Sequence, residues 1–241
     1  MFYKYYIFDL YGTLVDIRTD ENSPMLWRRT ALWYSEHEAL WTGPELKKRY
    51  FALCDEEQKK HADPLAEIDI RRVFSRLFKE KGVTPTDALI KSTASFFRIC
   101  SVKKLKLYPW VKPTLTKLKE NGCGLYLLSN AQAAFTVPEL TGLGLADMLD
   151  GGIISSDAGV KKPSPRILDL LLNHFQLEAA DCLLVGNDPA SDISLASAAG
   201  IDSLYLRTAT SPKDVSPAGA TRQLLDEDYS QMEKLLMKQA F

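Results

Sequence analysis

The stretch that decides the fold is MFYKYYIFDLYGTLVD, residues 1–16. An apolar run from Tyr5 to Leu10 carries one acid, Asp9, and gives way to Gly12-Thr13. A short apolar run bounded by turn residues reads as a buried strand. The acid at its end is either a turn aspartate, favoured there by local hydrogen bonds, or the first residue of a site. The remainder of the chain separates these readings.

Four further apolar runs follow: Gly124-Leu125-Tyr126-Leu127-Leu128, Gly152-Ile153-Ile154, Cys182-Leu183-Leu184-Val185 and Ser203-Leu204-Tyr205-Leu206. Helix-length amphipathic segments separate them, which predicts right-handed βαβ units and a parallel sheet covered on both faces. The expected fold class is α/β, a doubly wound parallel sheet. Thr208 to Asp214 reads as a loop, with a weak strand near Thr221 to Leu225 and a helix running to the terminus.

Residues 22 to about 104 have a different period. Leu26, Arg29, Thr30, Trp33 and His37 share one helical face, and Leu46, Tyr50, Leu53 and Cys54 repeat the spacing. Pro24, Gly43-Pro44, Asp63-Pro64, Gly82 and Pro85 divide the region into about four helices. Trp27, Trp33, Tyr34 and Trp41 read as packing residues. The expected organisation is a core of residues 1–16 and 105–241 interrupted by a helical bundle of residues 17–104.

Composition excludes several classes. Of 241 residues, 46% are hydrophobic and 25% charged, which is globular rather than disordered or fibrous. A net charge of -1 provides no basic surface for nucleic acid. No stretch approaches the roughly 18 apolar residues of a membrane span, and Lys4 and Asp9 interrupt any leader-like segment. Cys54, Cys100, Cys123 and Cys182 form no CxxC pair, so they read as reduced packing residues in a cytoplasmic protein. His37, His61 and His174 are scattered and signal no histidine chemistry.

In a parallel sheet the carboxyl ends of the strands share one edge, where ligands bind. Asp9-Leu10-Tyr11-Gly12-Thr13, Ser129-Asn130-Ala131-Gln132 and Gly186-Asn187-Asp188-Pro189-Ala190-Ser191-Asp192 follow three of the strands. Lys161-Lys162-Pro163 adds a lysine in the loop before a helix that begins near Ser164-Pro165. Taken singly, Ser129-Asn130 could be a helix cap, and Gly186-Asn187-Asp188 a turn. Together, carboxylates, a lysine and a hydroxyl at helix starts suit an oxyanion substrate, with phosphate the obvious candidate.

The series FDLYGT, LLSNA, KKPSP and VGNDPASD resembles the four motifs of the haloacid dehalogenase superfamily in their usual order, with the helical insert standing where that superfamily carries a C1-type cap. The resemblance implies that Asp9 is a nucleophile forming a covalent aspartyl intermediate, oriented by Thr13. Ser129, with Asn130 beside it, would bind the transferred group, and Lys162 would steady Asp9 and the substrate charge. Mg²⁺ would be held by Asp9, the Tyr11 carbonyl and the cluster Asn187, Asp188 and Asp192. Asn187 stands where the family usually has its first acid.

Tyr11 is the other departure. Most phosphatases of the superfamily have an Asp two residues after the nucleophile, which protonates the leaving group. A phenol, with an ordinary pKa of about 10, is a poor substitute, and general acid-base help of about 10² to 10⁴ is at stake. The DxYGT run is similar to that of the L-2-haloacid dehalogenases, in which halide leaves without a proton and without metal. On that reading Tyr11 lines the pocket and Arg28 of the cap binds halide. Against it, Asp188 and Asp192 beside Asp9 would repel a carboxylate substrate unless a divalent cation neutralised them. The expectation is therefore a Mg²⁺-dependent hydrolase of a small phosphorylated molecule, an acyl or aryl phosphate fitting Tyr11 best. The alternatives are a metal-independent 2-haloacid dehalogenase and a degenerate member that binds a ligand or partner without turnover. No nucleic-acid or membrane partner is expected, and either a monomer or a homodimer is compatible.

Overall fold

The computed structural model describes residues 2–213, 215–226 and 228–237. Strand β1, Tyr5–Phe8, is short because every one of its residues must be covered: Tyr6 and Phe8 point into one apolar layer and Ile7 into the opposite one. The chain then turns at Gly12 and returns as β2, Val15–Thr19. Four helices follow, α1 Pro24–Ser35, α2 Gly43–Gln58, α3 Ile70–Lys79 and α4 Asp87–Ser101. Their starts are the expected punctuation: Pro24 opens α1, and Thr42 forms a reciprocal capping box with Glu45 at α2.

Strand β3, Val102–Leu107, leaves α4 without a turn and pairs antiparallel with β2, Val15 opposite Leu107 and Ile17 opposite Leu105. This two-stranded ribbon was not expected. Its alternation of apolar and charged residues, Val-Asp-Ile-Arg and Leu-Lys-Leu, is a half-exposed strand pattern. The expected boundaries at residues 16/17 and 104/105 both fall inside it. The ribbon thus carries the chain out to the helices and back.

The second part of the chain alternates as expected: α5 Val111–Glu120, β4 Gly124–Ser129, α6 Ala133–Gly142, β5 Gly151–Ile154, α7 Ser155–Ala158, α8 Pro165–Phe175, β6 Cys182–Gly186, α9 Ser194–Ala198 and β7 Asp202–Leu206. The weak strand is β8, Arg222–Leu224, and α10 spans Met232–Leu236. Asp214, and the last residues of the helix expected to reach the terminus, lie outside the described residues.

The six strands form one parallel sheet in the order β5-β4-β1-β6-β7-β8. β1 is central, with Phe8 level with Leu127 on one side and Val185 on the other. From β1 the sheet grows first towards β5 and then in the opposite direction through β6, so the strand order reverses beside β1. That reversal opens the crevice where parallel sheets bind ligands. Val111, Leu115 and Leu118 of α5 cover one face, and Ile167, Leu168 and Leu171 of α8 with Leu195 and Ala196 of α9 cover the other.

The four inserted helices have their own apolar centre, built on Trp27, Tyr34, Tyr50, Phe74, Phe78 and Phe97. Phe135 of α6 joins it, its ring stacked on Phe97 at 6.1 Å between centroids. A second seam lies between α2 and α3, where Ala66 bridges Val160 and the Leu65 carbonyl accepts from Lys161 N at 2.9 Å. The insert is therefore stitched to the sheet layer right beside Lys162. Among the described residues no helix is long and apolar enough to cross a membrane.

Candidate active site

Asp9 follows β1 directly, and its N–H donates to the Val185 carbonyl at 2.9 Å, which holds it level with the ends of β4 and β6. Gly12 makes the turn possible. Its φ is +90°, and a Cβ there would lie 2.4 Å from both Asn187 Nδ2 and Thr210 Oγ1. The turn brings Thr13 back under Asp9, where Thr13 Oγ1 donates to Asp9 Oδ2 at 3.1 Å, with Asn187 Oδ1 at 3.3 Å.

Lys162 is the centre of the charge arrangement. Its ammonium has three hydrogens and meets three acceptors: Asp9 Oδ1 at 2.8 Å, Asp192 Oδ1 at 2.7 Å and the Leu128 carbonyl at 2.7 Å. The side chain is buried, and burial alone would lower its pKa. Asp192 and Asp9 outweigh that and hold the ammonium above its ordinary value. Burial pushes the Asp192 carboxyl up, and the nearby Asp9 charge adds to it. Asn130 fixes the lysine's backbone: its Nδ2 donates to the Lys162 carbonyl at 3.0 Å and its Oδ1 accepts from Lys162 N at 2.7 Å.

Ser129 ends β4 fully covered, and among the described residues its Oγ has no hydrogen-bond partner. An orphaned buried hydroxyl is costly, which marks the place as one where an absent group belongs. Neither Ser129 nor Asn130 caps α6, which begins after Gln132 with no side-chain cap. The helix-cap reading of this pair is thereby removed.

At the end of β6, Gly186 has no room for a side chain, since a Cβ would sit 2.3 Å from the Asp192 carboxyl carbon. The close approach lets Asp192 Oδ2 accept from Asn187 N at 3.1 Å and Asp188 N at 3.0 Å. Asp188 caps the π-helical turn Pro189–Ile193 through Ala190 N at 2.9 Å. Asp9, Tyr11, Asn130, Lys162, Asn187, Asp188 and Asp192 line one cavity of about 220 Å³, together with Ser191, Thr210 and Pro212.

Tyr11 points its hydroxyl away from this cavity's chemistry. The hydroxyl donates to Glu139 Oε2 at 2.5 Å and lies 3.1 Å from Thr136 Oγ1. Arg98 of α4 pairs with the same carboxylate at 2.6 Å and lies over the Tyr11 ring at 5.4 Å. Burial and the Glu139 charge push the phenol far above its ordinary pKa. The ring is a wall, and the hydroxyl ties the turn after β1 to α6.

Arg28 is exposed on α1 and is not among the residues lining the cavity. Asp192, expected as a metal ligand, has both oxygens committed to Lys162 and two backbone N–H groups. Thr208, Thr210 and Pro212 were not expected, although they follow the carboxyl end of β7 just as the other clusters follow their strands. Arg98, Thr136 and Glu139, which hold Tyr11, have no local signal in the sequence.

Among the described residues no three His, Cys, Asp or Glu side chains converge on a point that could hold a metal ion. Mg²⁺ needs less, since it takes one or two carboxylates with waters and substrate oxygens. Asp9, the Tyr11 carbonyl, the Asn187 amide oxygen and Asp188 form an all-oxygen set around the cavity. Among the described residues no backbone N–H donates to the Tyr11 carbonyl. This reduced set fits Mg²⁺.

The sequence pattern of the haloacid dehalogenase-like hydrolases matches residues 3–200. A phosphoserine phosphatase of Thermus thermophilus is 30% identical over 184 residues, covering 76% of this chain and 69% of that protein. A phosphoglycolate phosphatase of Colwellia psychrerythraea is 32% identical over 207 residues, 83% of this chain and 82% of the relative. Among solved structures, a 2-haloacid dehalogenase from Pseudomonas syringae pv. Tomato shares the fold with a TM-score of 0.66 at 21% identity, covering 97% of this chain and 98% of that one.

Proposed function

The chain belongs to the haloacid dehalogenase-like hydrolases, and from that premise we propose that it is a Mg²⁺-dependent phosphatase of a small phosphorylated molecule, with Asp9 as nucleophile. The observation that carries the reading is the pairing of Lys162 with Asp9 and Asp192, with the unpartnered Ser129 hydroxyl one residue on from the Leu128 carbonyl that the same ammonium meets. A lysine and a free hydroxyl suit a phosphoryl group, and the relatives named as phosphatases support the same class.

In this reading an Asp9 oxygen attacks phosphorus while the bond to the leaving oxygen breaks. Water then hydrolyses the aspartyl phosphate and frees Asp9. Thr13 and Lys162 hold the carboxylate aimed, and Ser129 donates to a phosphoryl oxygen. Asp9, the Tyr11 carbonyl, Asn187 and Asp188 would hold Mg²⁺, which neutralises phosphate charge when bound. The Tyr11 hydroxyl is committed to Glu139 and supplies no proton, so the best substrates are those whose leaving group needs none, acyl and aryl phosphates. Residues 17–104 act as the cap over the site, and the location is cytoplasmic, in keeping with four free thiols.

Tyr11 and the likeness to a dehalogenase structure favour a second reading, halide displacement from a 2-haloacid. Against it, no arginine lines the cavity, and Arg98 is already paired with Glu139. One pair of assays separates the two. Phosphate release from p-nitrophenyl phosphate that stops in EDTA is the expected result. Halide release from 2-chloropropionate in EDTA would replace the proposal with the alternative, and activity in neither assay would indicate a binding member.

A further inference from the structure

Asn187 stands next to the Asp9 cavity with an amide, whose two ends are unlike: an oxygen that attracts a cation and a nitrogen whose hydrogens repel one. Its orientation therefore matters as a carboxylate's would not. Nδ2 faces the loop after β7, 3.2 Å from Thr210 Oγ1 and 3.4 Å from Thr208 Oγ1. Oδ1 faces Thr13 Oγ1 at 3.3 Å.

The hydrogen-bond polarity of that loop favours this orientation. Thr208 Oγ1 donates its one proton to the Gly12 carbonyl at 2.8 Å, an atom that can only accept. Thr208 Oγ1 is left as an acceptor. Thr210 Oγ1, 3.3 Å away, can give its proton to Thr208 and becomes an acceptor too. Two amide hydrogens then meet two acceptors. The reverse orientation would keep only the Thr210 contact with the loop, would place one amide N–H against Thr13 Oγ1, and would aim the other amide hydrogen at the cavity. Gly12 is what lets these groups meet, since a Cβ there would strike both Asn187 Nδ2 and Thr210 Oγ1.

We propose that Thr210, backed by Thr208, is a positioning residue that turns the Asn187 carbonyl towards the Asp9 cavity, so that a neutral side chain can serve a divalent cation. The inference rests on the cation reading above. It assigns the loop after β7 a part in the site, as the support of its one uncharged side-chain ligand.

The test is Mn²⁺ binding followed by the paramagnetic resonance signal of the free ion, with Mn²⁺ itself as the probe. Thr210→Val is expected to weaken binding about tenfold, as loss of a ligand's supporting partner does, and Thr210→Ser to bind like the unaltered chain. In Asn187→Asp, whose two oxygens are equivalent, adding Thr210→Val should leave the affinity nearly unchanged. Each variant's thermal midpoint is measured to show that it is folded. Equal affinity with and without Thr210→Val, or an equal loss in both backgrounds, would overturn the inference alone. Failure of the unaltered chain to bind Mn²⁺ would overturn the cation reading and the inference with it.

Discussion

Replacing Lys162 with Met keeps most of the apolar stem and deletes one buried charge. The ammonium gives hydrogen bonds to Asp9, Asp192 and the Leu128 carbonyl, so the variant takes one charged donor from two carboxylates and one carbonyl, leaving Thr13 on Asp9 and two backbone N–H groups on Asp192. Removing one partner of a buried ion pair costs about 3–5 kcal/mol. Here one lysine serves two acids, which places the loss at the upper end of that range. For a chain of this size each kcal/mol moves the midpoint by roughly 2–4 °C, so a fall of about 10–15 °C is expected by calorimetry in EDTA. With the lysine gone, the Asp192 carboxyl, which burial already pushes up, holds its proton to a higher pH in the folded chain than in the unfolded one. A raised carboxyl pKa makes stability fall as pH rises, so the penalty is largest near neutrality and shrinks as pH drops. Adding Asp192→Asn should recover part of the loss, because it removes one of the two stranded charges. A fall under about 1 kcal/mol, or one that does not change with pH, would refute the argument.

Tyr11→Asp is expected to raise turnover of alkyl phosphates by up to about 10²-fold, the lower end of what a positioned acid-base group provides, while lowering stability through loss of the ring and its bond to Glu139. An unchanged or slower rate in a folded variant would count against the role given to Tyr11. Gly12→Ala should cost at least about 2 kcal/mol by chemical denaturation, from a left-handed φ and a clash with Asn187 and Thr210. Glu139→Gln strands the partly buried Arg98 and should lower the thermal midpoint by up to about 3 kcal/mol's worth, with a smaller effect on turnover than any change at Asp9.

The core strands were legible because a parallel sheet covered on both faces leaves whole apolar runs in the sequence. Tyr5–Phe8 and Cys182–Gly186 carry that signature fully. The ribbon of β2 and β3 was not legible: its residues are half exposed, and Val102 continues from α4 with no turn residue to mark the change. Asp9, Asn130, Lys162 and Asn187 could be assembled in advance because each follows a strand end or precedes a helix on the same edge. The same rule reached the loop after β7 but stopped short of Thr208 and Thr210, whose hydroxyls look like ordinary turn chemistry. Arg28 was singled out by residue type alone, and which way a helix of the insert faces depends on packing that no local pattern records. The partner of Tyr11, Glu139, lies on a helix whose register against the Asp9 turn only the folded chain defines.

The account turns on Asp9 as the group that takes the phosphoryl from the substrate. Rapid acid quenching of the enzyme with Mg²⁺ and acetyl phosphate, followed by mass analysis of its peptides, tests this directly. One phosphoryl group on the peptide carrying Asp9, absent in EDTA and absent from Asp9→Asn, is the predicted result. Turnover of acetyl phosphate with no label on that peptide, or with the label on another residue, would contradict it.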